Sequence, residues 1–134
     1  MSRELGHFIL GEHATFRNGL NFSKESRGNG CLLVGVSDFK DRFSPDYQSL
    51  SEINPDGIVR QDDYLQQGDI VFVRSNGNKA LVGRSLYIDK DVEALFSGFC
   101  IRARLTSTKI DKLFCAYFTR TANFKSQISS SAGT

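Results

Sequence analysis

The segment RSNGNK, residues 74 to 79, places Arg74, Ser75, Asn76, Asn78 and Lys79 within six positions and contains no acid. These are donors of the kind that read nucleic acid. A guanidinium pairs bidentately with guanine, a carboxamide with adenine, and Lys or Ser reaches phosphate. The same residues also suit a plain hairpin tip, where Asn and Gly are favoured for backbone reasons and the cations are merely solvated. Composition leaves both readings open. A second donor-rich stretch, NFSKESRGNG at 21 to 30, holds Lys24, Arg27 and Asn29, with a solvated surface loop as its alternative. In GFCIRARL, residues 98 to 105, strand alternation puts Phe99, Ile101, Ala103 and Leu105 on one face and Cys100, Arg102 and Arg104 on the other. Arg102 and Arg104 therefore join the candidates on condition that their face is exposed.

Catalytic patterns are sparse. His7 and His13 are six apart, which is not the i, i+4 spacing of a helical zinc pair, and neither has a cysteine near it in sequence. Cys31, Cys100 and Cys115 sit in apolar contexts such as GCLLVGV and LFCAYF, the setting of buried, inert thiols rather than nucleophiles or disulfides. Asp62 and Asp63 adjoin Gln61 in a polar run and read as a solvated loop. The glycines of RGNGCLLVG precede a strand, whereas a dinucleotide fingerprint follows one, and no Walker-type phosphate loop occurs. The expectation is a non-enzymatic protein with no cofactor or metal of its own.

The elements that would position the donors belong to one domain spanning residues 1–134, a length that buries a core without staples. Eleven Phe and four Tyr supply large apolar side chains, and charged residues at 24% argue against disorder. The net charge of +2 is unevenly spread: residues 1 to 70 carry −4 and residues 98 to 134 carry +5, a distribution that suits a polyanionic partner and that solubility alone also produces. No leader-like apolar region opens the sequence and no apolar run approaches the roughly 20 residues of a membrane span, so a cytoplasmic location without membrane contact is expected.

DIVFV (69 to 73) and ALVGRSLYI (80 to 88) are β-branched or aromatic runs joined across an Asn-Gly dipeptide, which predicts a β-hairpin with a tight tip. CLLVGV, 31 to 36, predicts a buried strand. QSLSEI, 48 to 53, suggests a turn of helix, and NPDG, 54 to 57, a reverse turn. Ile110, Leu113, Phe114, Tyr117 and Phe118 recur at the spacing of one apolar helical stripe, which predicts a helix packed on the core through that stripe. A second helix is expected from Ala122 to Ser129. Strands first and helices last predict an α+β fold: a twisted mixed or antiparallel sheet with short helices and C-terminal helices packed on it.

YLQQGDIVFVRSNGNKALVGRSLYID followed by FSGFCIRARL resembles the target-recognition domain of type I restriction-modification specificity subunits. In that family a GDI turn enters a strand, a polar loop leads to VGR, and an aromatic strand ending in I-R follows. LGEHATFRNG resembles the opening of such domains and KLFCAYFTRTANFKSQISSSAGT their closing helices, so the resemblance runs along nearly the whole chain and is most specific from Gly68 to Arg104. It implies a non-catalytic domain that reads one half of a bipartite site in double-stranded DNA. It further implies adenine methyltransferase subunits that bind S-adenosylmethionine and flip the base, and a restriction and translocase subunit that joins the complex. Family members carry two such domains on long helical spacers, whereas one is visible here. That difference suggests a half-subunit that pairs with itself, a truncated product or an excised domain. The alternative function is a protein-interaction module that binds a methyltransferase subunit, or its own copy, without reading sequence.

Overall fold

The computed structural model describes residues 14–22, 27–54, 59–74, 79–106 and 111–120, and of 27–29 the backbone only. Among the described residues seven strands form two sheets. β1 (Ala14–Asn18), β7 (Cys100–Leu105), β4 (Ile70–Val73) and β5 (Ser85–Tyr87) lie in the order β1-β7-β4-β5, every pair antiparallel. The second sheet has the order β3-β2-β6, from β3 (Ser51–Ile53), β2 (Arg27–Val34) and β6 (Ala94–Phe96); β2 and β6 run parallel. Among the described residues one α-helix, α1 (Lys112–Phe118), follows the strands. The mixed α+β architecture expected from the order of elements is the one observed.

All four residues of β4 are buried, because the strand is covered on both faces. Val71 and Val73 join Val34, Leu86, Ala94, Phe96 and Cys100 in a cluster between the two sheets. Ile70 and Phe72 turn the opposite way and pack with Ala103, Leu105, Cys115 and Ala116 beneath α1. Strand alternation thus assigns a single apolar run to two cores.

The expected hairpin forms, with Ile70 opposite Tyr87 and Phe72 opposite Ser85. Its connection runs from Arg74 to Arg84, with 75–78 outside the described residues. The second strand begins at Ser85 rather than Ala80, and Lys79–Leu81 form a turn of 3-10 helix. The ladder closes at Gly83, whose N–H donates to Val73 O at 2.9 Å with φ of 89°. A Cβ is disfavoured in that left-handed conformation, so glycine ends the loop there. QSLSEI divides into a 3-10 turn at Tyr47–Ser49 and the strand β3. Asn54 is the part of NPDG that is described; the rest of that turn and the second helix from Ala122 to Ser129 lie outside the described residues.

The helix departs from the expected orientation. Asp111 caps it, its carboxylate accepting from the N–H groups of Leu113 and Phe114 at 2.8 and 3.0 Å. The buried residues are Cys115 and Ala116, while Leu113, Phe114 and Tyr117 are 46%, 49% and 59% exposed. Small side chains let the helix approach the sheet closely, and of the apolar stripe Leu113, Phe114 and Tyr117 are turned outward while Phe118 packs against the core. Thr119 completes the inner face, its hydroxyl 3.3 Å from Ser85 Oγ. Among the described residues no helix is long and apolar enough to cross a membrane.

Candidate nucleic-acid interface

At the end of the first sheet where β4 leaves and β7 enters, Arg74 is held by its backbone and its side chain together. Its N–H donates to Phe99 O at 2.8 Å and its Nη2 to Gly98 O at 2.9 Å. Arg74 is otherwise exposed, and a guanidinium carries more donors than this one bond uses. Lys79, on the far side of the loop, is exposed as well. Ser75, Asn76 and Asn78 lie between them, outside the described residues. So does Lys24, and so do the side chains of Arg27 and Asn29.

Two further cations stand at this end that the sequence reading did not select. Arg84 Nη1 donates to Lys40 O at 3.1 Å, which ties the hairpin to the turn after β2. Lys40 is exposed and takes φ of 44°, a conformation unusual for a side-chain-bearing residue. Between them a cavity of about 200 Å³ is lined by Val36, Ser37, Lys40, Val73, Leu81 and Arg84. Nothing in the local sequence SDFKD marks Lys40; only the fold brings it beside the loop.

Phe99 also departs from its expected place. Alternation assigns it to the apolar face with Ile101, yet it is 56% exposed. It belongs to a turn rather than the strand: Cys100 N–H donates to Ser97 O at 2.9 Å, and Phe99 N–H to Ser97 Oγ at 3.0 Å. The Ser-Gly pair just before it is the signal of that turn.

Arg102 and Arg104 do share a face, but the face is covered. Arg102 is 4% exposed; its Nη1 donates to the carbonyls of Asp62 and Tyr64, and its guanidinium lies 5.8 Å from the Phe96 ring centroid. Arg104 forks onto Asp69 with two contacts of 2.9 Å and donates to Tyr64 O at 3.0 Å. The exposure on which these two depended as candidates is therefore not met at Arg102, and Arg104 is spent on a buried aspartate. They fasten the segment from Arg60 to Asp69 to the sheet. Asp63 belongs to the same network and is not a solvated loop residue: it is 4% exposed and accepts from Arg17 Nε and Arg60 N–H, both at 2.8 Å.

The resulting surface has a rigid base of paired strands, a loop bounded by Arg74 and Lys79, flanking cations at Lys40 and Arg84, and one exposed aromatic ring. It can neutralise phosphates and offer donors and an apolar group to base edges. Cys31, Cys100 and Cys115 are free and buried. Burial pushes the Cys100 thiol up to about 12 and the Cys115 thiol up to about 11, so neither is poised as a nucleophile.

No protein-family model and no curated protein sequence matches the chain. Solved structures do. The HsdS subunit from Thermoanaerobacter tengcongensis superposes with a TM-score of 0.65 at 14% identity, over 90% of this chain and 27% of that one. A chain from a structure describing complex assembly and conformational transition of the type I R-M system gives 0.64 at 17% identity, with the same coverage. The type I restriction-modification S subunit from M. genitalium gives 0.57 at 16% identity, over 92% of this chain and 28% of that one. This chain has the target-recognition-domain fold of HsdS specificity subunits. It spans little more than a quarter of the length of the HsdS chains it matches. The resemblance read from Gly68 to Arg104 and the three-dimensional match point to the same fold.

Proposed function

We propose that this domain is a non-catalytic module for sequence-specific recognition of double-stranded DNA, reading one half of a bipartite target for a type I restriction-modification complex. The observation that carries the reading is the acid-free loop from Arg74 to Lys79, set on a rigid hairpin at one end of an HsdS-type fold. Arg74, Ser75, Asn76, Asn78 and Lys79 are the principal contacts, Lys24, Arg27 and Asn29 the next, and Arg102 and Arg104 act as scaffold. The methyltransferase partner binds S-adenosylmethionine and performs the chemistry, and a restriction subunit completes the complex. Selection from randomised duplexes tests this: the chain enriches a short motif and its affinity falls steeply with salt, and a chain that enriches no motif is not a reader.

One observation favours a second role in assembly. Leu113, Phe114 and Tyr117 form an outward apolar stripe on α1, a surface suited to a protein partner rather than to DNA. Sedimentation with and without the methyltransferase subunit separates the two roles. Tight partner binding without motif enrichment assigns the chain to assembly alone.

A further inference from the structure

Phe99 stands apart from the other exposed large apolar side chains among the described residues. Three of those lie on α1, and Phe16 lies on the edge strand β1. Phe99 alone shares the end of the sheet where Arg74 leaves β4. Single exposed apolar residues are ordinary on protein surfaces, so exposure by itself argues little. The construction beneath this one is the informative part.

The turn that carries Phe99 is clamped from two sides. On one side, Arg74 bonds to the carbonyls of both Gly98 and Phe99. On the other, Gly19 N–H donates to Cys100 O and Leu20 N–H to Phe96 O, each at 3.1 Å. The Asn21 side-chain amide lies against Gly98, where a Cβ would displace it. So constrained a turn fixes the direction in which its side chain leaves the backbone, which is what base-edge recognition requires of the support of an apolar contact. Arg74 and Phe99 are fixed by the same hydrogen bonds, so a donor fork and a ring leave the surface as one unit.

We infer that Phe99 is a specificity-determining residue that packs on the 5-methyl group of a thymine in the major groove, next to the base that Arg74 reads. The inference rests on the DNA-recognition reading above. Thymine is the one ordinary base that presents an apolar group on its major-groove edge, and Phe is a suitable contact for it. A wedge driven between base pairs needs a ring that projects freely. Phe99 is nearly half embedded in its turn, so it offers a flat apolar surface instead.

The test uses the full 134-residue chain. Duplexes are selected from a randomised pool with the wild type, and the thymines of the enriched motif are replaced one at a time by deoxyuridine, which removes only the methyl group. One replacement is expected to weaken the wild type about fourfold, the equivalent of burying one methyl. Phe99→Ala should lose affinity for the thymine duplex by a similar factor and bind the thymine and deoxyuridine forms equally, with an unchanged salt slope. Phe99→Leu should retain part of the discrimination, and thermal melting confirms that both variants fold. If the wild type enriches a motif but no deoxyuridine matters, or if Phe99→Ala still discriminates, this inference falls and the DNA-recognition reading stands. If the wild type enriches nothing, both fall.

Discussion

Arg17 and Arg102 face each other as register partners in the β1–β7 ladder. Like charges directly opposite in a sheet are destabilising, and here Asp63 relieves the repulsion. Its carboxylate accepts from Arg17 Nε at 2.8 Å and lies in the field of both guanidiniums. The segment that carries Asp63 is thereby stapled across two strands. Burial pushes the Asp63 carboxyl up, but the Arg60 N–H and the Arg17 guanidinium outweigh it and hold the carboxyl below its ordinary value.

That depression fixes the sign of a pH dependence. A carboxyl whose folded-state value lies below the unfolded value of about 3.9 contributes stability that is present above pH 4 and is lost as the pH falls through the folded-state value. Urea unfolding from pH 7 to pH 2.5 should show a steep acid limb. Asp63→Asn keeps an acceptor for Arg60 but removes the charge between the arginines. It should cost about 1–3 kcal/mol at pH 7 and flatten that limb, and an acid limb as steep as the wild type's would show that Asp63 does not couple to folding.

The surface proposed to bind DNA responds to substitution in a separate way. Arg74→Ala and Lys79→Ala should each weaken duplex binding and reduce the slope of log affinity against log salt by about 0.9 if each residue neutralises one phosphate. A variant that relaxes the preferred motif while keeping the slope has lost a base contact instead. Lys79 is exposed, so Lys79→Ala should change stability by less than about 0.5 kcal/mol, whereas Arg74→Ala also removes the Nη2 bond to Gly98 O and should cost about 1 kcal/mol. Wild-type affinity in both variants would remove this loop from the interface.

Local pattern made the two central strands legible, because Ile70 to Val73 and Cys100 to Leu105 are long and β-rich enough to announce themselves. β3 and β6 are three residues each, too short for alternation to register, and are defined only by their pairing with β2. The loop donors were visible as composition, and the family resemblance gave them a direction. Contacts distant in sequence were not visible: Arg102 reaches the Asp62 carbonyl and Arg84 the Lys40 carbonyl. The helix misled for a physical reason. Periodicity identifies an apolar stripe but not what covers it, and in α1 the close approach to the sheet is made by Cys115 and Ala116.

Opposite responses are expected on the two faces of α1. Leu113→Ser and Phe114→Ser alter side chains that are about half exposed, so each should leave the fold largely intact. If the stripe docks a methyltransferase subunit, each should weaken that association in sedimentation or pull-down with the purified subunit. Ala116→Leu adds bulk where the helix meets Ile70, Phe72 and Ala103, and overpacking of this kind costs about 1–3 kcal/mol. Thermal melting that ranked Leu113→Ser as the more damaging change would contradict the orientation of the helix.

The three thiols provide a probe of opening. Desolvation raises Cys31, takes Cys100 up to about 12 and takes Cys115 up to about 11. At pH 8 the reactive thiolate is therefore suppressed, and burial blocks the reagent besides. Cys100 lies in the core between the sheets and Cys115 in the core under α1, so labelling each reports a different layer. Modification by an aromatic disulfide at pH 8 should be slow in the native protein and become fast in urea. With single-cysteine variants, Cys115 should react at lower urea than Cys100, because freeing Cys115 requires only that a seven-residue helix lift from the sheet. Simultaneous exposure of both would instead make the helix and the paired sheets one cooperative unit.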